Sequence, residues 1–203
     1  MTIDQFKKAW LAAQADINAN EKHFSELDAA TGGDGDHGTA IVAALRAIVK
    51  AEGADYKALL TNMAEKLETE ASGSTSSLYG SWLEGMADAA DDGATDLDAT
   101  AVSTLFKGGL EEIGFATKAR VGGKTLMDAL IPATDALVAA EAQGIPAMFK
   151  AAADAAQKGA EATKEMRATF GRARNLGDRS IGPMDAGASS MACIFAAFAR
   201  ALA

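Results

Sequence analysis

A single cysteine, Cys193, stands in the chain, so no internal disulfide can form. Its place in the apolar run SSMACIFAAFARALA gives it the character of a small core residue. Proline occurs three times and aromatic residues make up 6% of the chain, whereas alanine is abundant. Strand formers are therefore scarce and helix formers plentiful, which predicts an all-α fold. Basic residues are also in short supply: 19 Lys and Arg face 28 Asp and Glu, a formal net charge of −9. With no basic stripe to offset it, that charge repels a phosphate backbone and excludes a nucleic-acid partner. No stretch reaches the roughly 18 apolar residues of a membrane span. The opening MTIDQFKKAWLAAQAD mixes charges into its apolar positions, unlike a signal peptide. The expectation is a cytoplasmic protein with no membrane association.

Hydrophobic residues, by contrast, make up 49% of 203, enough to bury a sizeable core. There is no repeat of fixed period, low-complexity linker or charged tail, which predicts one domain over residues 1–203. Apolar positions recur at helical spacing in eight blocks. These run from Ile3 to Asp28, Asp36 to Ala51, Asp55 to Thr69, Ser74 to Ala90, Ala99 to Thr117, Lys124 to Ala142, Pro146 to Thr169 and Gly187 to Leu202. Pro132 falls inside the sixth, where it removes one backbone hydrogen bond and predicts a kink. The acidic run MADAADDGATDLDAT (86–100) reads as a solvated turn with helix caps, a cation site being the alternative.

The stretch TGGDGDHGTA (31–40) packs two carboxylates and one of the two histidines among glycines. Asp34 and Asp36 flank one glycine, so an extended backbone projects both to the same side, with Asp28 within reach. Converging carboxylates call for a positive partner, and Mg²⁺ prefers carboxylate oxygens in octahedral geometry. An EF-hand is excluded, because counting from Asp34 puts Leu45 where the bidentate glutamate belongs. Asp-Gly turns are common, however, and Asp36 can equally cap the helix that follows. Both uses favour the same residues. The N–H groups at that helix start favour an anion, so Mg²⁺ beside a phosphate is a coherent site. His37 can donate to a phosphate or ribose, shuttle a proton or cap the turn, while His23 reads as a surface or satisfied histidine.

Three further stretches offer anion chemistry. ASGSTSSLYG (71–80) brings small hydroxyl residues to a helix start, a phosphate cradle or an ordinary N-cap. RVGGKTLMDAL (120–130) resembles a P-loop in its Gly-Gly-Lys-Thr, but Lys118 stands where the first P-loop glycine belongs and no strand precedes it. GRARNLGDRS (171–180) concentrates Arg172, Arg174 and Arg179, either for phosphate or as surface arginines paired with Asp178 and Asp185.

Taken in order, ELDAATGGDGDHGTA, SSLYG, GGKTLMDALIPA, KGAEATKEM and GRARNLGDRSIGPMDAGASS make the chain from about Leu27 to its end resemble the nucleotide-binding L subunit of dihydroxyacetone kinase. They match equally the C-terminal domain of the single-chain kinases of that family. The resemblance implies an antiparallel eight-helix barrel that binds ADP or ATP at one end through two Mg²⁺ ions. It assigns Asp28, Asp34 and Asp36 as metal ligands. Nucleotide contacts map onto His37, Gly38, Thr39 and Ala40, onto Ser74 and Thr75, onto Gly122, Thr125 and Met127, and onto Gly171, Arg172, Arg179, Asp185, Ala186 and Gly187. Also implied are a partner K subunit, whose histidine holds dihydroxyacetone, and, where ADP stays bound, an M subunit of the phosphotransferase system that recharges it. A homodimer, a four-carbon sugar as acceptor, and a non-catalytic nucleotide-binding role are compatible with the same likeness. Four departures from the family pattern fall near the site: one extra residue at Gly32-Gly33, Ala40 for an asparagine, Thr75-Ser76-Ser77 for Ser-Gly-Pro, and Gly123 for an aspartate.

Overall fold

The computed structural model describes residues 1–203 and is helical throughout. The helices are α1 (Ile3–Ala19), α2 (Glu21–Ala30), α3 (His37–Ile48), α4 (Tyr56–Glu70), α5 (Ser74–Ala89), α6 (Ala99–Ala116), α7 (Met127–Ala139), α8 (Ile145–Ala162) and α9 (Ala186–Ala201). Short 3₁₀ turns cover Glu141–Gln143, Thr163–Glu165 and Arg172–Ser180. The sole β pairing is one isolated bridge between Thr2 and Asp96, in line with the scarcity of strand formers.

Three expected boundaries give way to local chemistry. The block from Ile3 to Asp28 is two helices, broken at Asn20, whose side-chain amide donates to the Asp16 carbonyl at 2.8 Å. Asn offers the backbone such an alternative to continued helix. The block from Lys124 to Ala142 becomes helical only at Met127, because the residues before it fold into a loop. The block ending at Thr169 stops at Ala162, where the Thr163 hydroxyl bonds back to Ala160 at 2.6 Å. The acidic turn behaves as expected: Asp98 caps α6 by accepting from Ala101 at 2.8 Å, as Asp55 caps α4 through Ala58 at 2.8 Å.

Neighbours in space follow the chain. α3 packs on α4, α4 on α5, and so on to α8 on α9, while α9 returns to α1 and α1 to α3. Eight helices thus close a ring, and α2 lies outside it against α3. Most successive members are joined by short connections, which make them antiparallel. The ring interior is filled by aromatic side chains: Trp10 from α1, Trp82 from α5, Phe106 from α6, Phe149 from α8, and Phe195 and Phe198 from α9. Their contacts are mostly edge-to-face or tilted, with centroids 5.0 to 6.3 Å apart. One end is sewn shut: Tyr56 donates its hydroxyl to the Met1 and Thr2 carbonyls at 2.8 and 3.0 Å, and Leu97 donates its N–H to Met1 at 3.0 Å.

Pro132 lies inside α7 and leaves the Asp128 carbonyl without its helical N–H partner. Gly159 of α8 packs directly on that carbonyl, where a Cβ would stand 1.9 Å from the oxygen. Gly159→Ala should therefore force the two helices apart and destabilise the protein by about 1–3 kcal/mol. Gly80→Ala, at a helical position with open space around it, should stabilise by about 0.5–1 kcal/mol. Urea denaturation of both variants checks the contrast.

Candidate functional site

Alternating helix direction brings the N-termini of α3, α5, α7 and α9 to the end opposite the sewn one, where they surround a cleft of about 260 Å³. A helix N-terminus carries roughly half a positive charge and several unbonded N–H groups. Neither α3 nor α5 has a side-chain cap, so their first N–H groups remain free to donate. In an acidic protein, this end is built to receive an anion.

Beside those N-termini, Asp28 from α2 and Asp34 and Asp36 from the loop before α3 bring carboxylate oxygens within 4.8 Å of one another. Asp36 makes no capping hydrogen bond, so of its two uses open in the sequence the cap is not the one realised. The glycines shape the cluster. Gly35 donates its N–H to Asp28 at 2.8 Å, and a Cβ on Gly33 would fall 2.1 Å from an Asp28 oxygen. The extra Gly32-Gly33 residue thus leaves the space that the Asp28 carboxylate fills.

A cation already touches this cluster: Arg172 forms an ion pair with Asp34. The guanidinium holds the Asp34 carboxyl below the usual carboxylate range. Desolvation raises Asp36, helped by the Asp34 and Asp28 carboxylates. Oxygen-only donors, crowded and partly exposed, fit a hard divalent cation such as Mg²⁺. The alternative pairing of Arg172, Arg174 and Arg179 with Asp178 and Asp185 is not met: Asp178 meets Arg167 at 3.5 Å, and Asp185 turns inward to cap α9.

One wall of the cleft is the Gly-Gly-Lys-Thr loop. Asp128, completely buried, accepts the N–H groups of Gly122 at 2.6 Å and Thr125 at 2.7 Å and so bends the loop. Lys124 is left at φ 59°, the one non-glycine residue with positive φ. Such a conformation costs about 1–2 kcal/mol. At Gly123 a Cβ would meet the Arg120 carbonyl at 3.0 Å and the Phe170 ring at 3.2 Å, so the bare glycine lets Phe170 lie against the loop, where it lines the cleft.

The floor joins α3 to α9. His37 meets Ser190 at 2.9 Å, and Ser190 donates its own hydroxyl hydrogen to Gly187 at 3.1 Å. Burial lowers the His37 pKa and so favours the neutral imidazole. Tyr79, buried beside the cleft, has a hydroxyl with no partner. Burial pushes the Asp185 carboxyl up to about 7, against the pull of the Ala188 N–H it accepts at 2.8 Å.

Of the residues singled out in the sequence, Asp28, Asp34, Asp36, His37, Ala40, Ser74, Thr75, Thr125, Gly171, Arg172, Asp185, Ala186 and Gly187 line this one cleft. Gly38, Thr39, Gly122, Met127 and Arg179 stand back from it. Gly38 allows α3 to approach α2, where a Cβ would lie 2.0 Å from the Glu21 carbonyl. Met127 is buried and borders a separate apolar groove with Phe115 and Ile131. Lys124, Tyr79, Phe170, Asp128 and Ser190 were not foreseen. The signal for Asp128 is a lone acid in the apolar TLMDALIPA, and that for Lys124 is its place in Gly-Gly-Lys-Thr.

Residues 32–200 match the model of the DAK2 domain. The chain belongs to the DAK2 domain family. This DAK2 domain is 32% identical over 183 residues to the ADP-binding subunit DhaL of PEP-dependent dihydroxyacetone kinase 1 from Listeria innocua, covering 88% of this chain and 86% of that one. It is 36% identical over 193 residues to L-erythrulose 1-kinase of Mycolicibacterium smegmatis, covering 90% of this chain but 33% of that protein. The crystal structure of dihydroxyacetone kinase from C. freundii in complex with AMP-PNP and Mg²⁺ superposes with a TM-score of 0.75 at 30% identity, over 96% of this chain and 33% of that one. The DAK2 domain thus spans most of a separate subunit and a third of the longer kinases. No helix in it is long and apolar enough to cross a membrane.

The raised Asp185 has a consequence for stability. The fold keeps its proton between pH 3.8 and about 7, where the unfolded chain has given it up. Stability contributed by this group therefore falls as pH rises through that interval. Asp185→Asn keeps an acceptor for Ala188 and cannot ionise, so it should flatten the decline in urea midpoint across the same interval; an unchanged slope would contradict the assignment.

Proposed function

We propose that this DAK2 domain binds ADP or ATP with Mg²⁺ at the open end of its barrel and serves as the phosphoryl-donor part of a kinase. The acceptor is a hydroxyl of a short keto sugar held on a separate K-type chain. What carries the reading is the meeting, in one cleft, of three clustered carboxylates with the uncapped N-termini of α3 and α5.

Asp28, Asp34 and Asp36 would hold the metal, two ions by family likeness. Bound there, Mg²⁺ supplies charge neutralisation for the phosphate oxygens. The chain's own groups do the positioning. Free N–H groups at the starts of α3 and α5 donate to phosphate oxygens, and Arg172, already at the cluster, offers a planar fork of the kind that grips phosphate. Neutral His37 keeps Nε2 on Ser190 and so braces the α3 start against α9. Phe170, Leu78 and Leu126 give the cleft its apolar surface and limit water around the transferring group.

The L. innocua and Escherichia coli relatives, named ADP-binding subunits, are covered over 86% and 89% of their length, which favours a separate subunit working with a K chain. Their designation as PEP-dependent favours ADP retained as a cofactor and recharged by an M-type phosphoprotein. A second reading has a four-carbon acceptor, because two erythrulose kinases of M. smegmatis are 34% and 36% identical to this chain. In both readings the sugar is chosen on the partner, outside this cleft.

Saturating ADP and Mg²⁺ should stabilise the protein, by about 2.7 kcal/mol at a hundred times the Kd. Asp34→Ala should lose that shift, weaken Mg²⁺-dependent ADP binding by about tenfold or more, and stop phosphorylation of dihydroxyacetone or erythrulose by the complex with a K subunit. Calorimetric titration and a coupled kinase assay measure these effects, and an Asp34→Ala variant with full activity would remove the metal role.

A further inference from the structure

Lys124 takes no part in the carboxylate cluster, yet it borders the cleft and is 2% exposed. Its backbone sits at φ 59°, where glycine is the ordinary choice. The loop does use glycine where it needs one, since Gly122, two residues earlier, has φ 96°. A lysine kept buried at such a position indicates that its side chain is needed.

That side chain ends in three donors and no acceptor. Two of them reach backbone carbonyls from other segments: Thr163 at the end of α8 and Pro183 in the turn before α9, each at 2.6 Å. Both carbonyls belong to the backbone that carries the opposite wall of the cleft. The Thr163 hydroxyl accepts the N–H of Asp185 at 2.9 Å, and the Lys164 carbonyl accepts that of Gly182 at 2.8 Å. Burial pushes the Lys124 ammonium below the usual lysine range, and the neighbouring Asp185 and Asp128 carboxyl groups only partly oppose that shift.

We propose that Lys124 is a positioning residue of the nucleotide cleft: its ammonium, bonded to the Thr163 and Pro183 carbonyls, sets the spacing between the Gly-Gly-Lys-Thr wall and the Asp185–Gly187 wall. The proposal rests on the nucleotide reading of this cleft and adds what holds its two sides in register. Lys124 acts through the backbone and need not touch the nucleotide.

The test compares Lys124→Met, Lys124→Gly and Lys124→Arg in the full chain. Methionine fills the space without the donors, and glycine relieves the backbone but also removes them. Both should weaken Mg²⁺-dependent ADP binding, measured by calorimetric titration, by about tenfold or more, whereas arginine should recover most of the affinity. In the ligand-free protein, the amide resonances of Asp185 to Ala188 should move in the methionine and glycine variants and stay near their wild-type positions in the arginine variant. A methionine variant with wild-type affinity and unmoved amides overturns the proposal, even if its melting temperature drops. If neither methionine nor glycine folds, the wild-type protein decides. Proton–nitrogen spectra should show a slowly exchanging ammonium that disappears in Lys124→Arg, and a freely exchanging Lys124 refutes the clamp. Should the wild-type protein fail to bind ADP, the nucleotide reading falls, while the amide and ammonium signals still judge Lys124.

Discussion

Closure of the helix ring is the constraint on which the rest of the molecule depends. Once eight helices alternate in direction around an aromatic interior, the starts of α3, α5, α7 and α9 have to meet at one end. Their unbonded N–H groups and aligned dipoles then create a positive region that no cluster of basic side chains supplies. An acidic protein can in this way receive a phosphate without Lys or Arg in quantity. The same closure places α2 and its Asp28 beside the loop of Asp34 and Asp36, so carboxylates and helix dipoles balance one another across a few ångströms.

The two chemical halves of the cleft also restrain each other. Carboxylates at such spacing repel, and Arg172 relieves the repulsion at Asp34 while Asp36 is left raised. A divalent cation would take over the role that the guanidinium plays here, leaving Arg172 to face the anion that accompanies it. The departures from the family pattern have physical readings in the same terms. The bare Gly33 leaves space for Asp28, and the ring of Phe170 lies against Gly123. Nothing in the structure explains why Ala40 stands in place of an asparagine.

Much of the cleft could be read along the chain because its parts are short and local. Asp34 and Asp36 are separated by one glycine, and the serines and threonine before α5 announce a helix start wherever they occur. Helix content followed from composition, and five of the eight expected blocks kept their identity with ends moved by a few residues. The failures were also local in cause: a side-chain amide at Asn20, a hydroxyl at Thr163 and a carboxylate at Asp128 each outcompeted an apolar periodicity that suggested continued helix.

What the sequence by itself determined was the class of fold, the carboxylate loop and the order of the stretches that line the cleft, since propensity and spacing act between near neighbours. Only the tertiary structure decided which buried polar groups hold those stretches together. Lys124 bonds across 39 and 59 residues, and His37 meets Ser190 across 153. Pairings at such separations depend on which helices the closed ring makes adjacent, and no local preference encodes them.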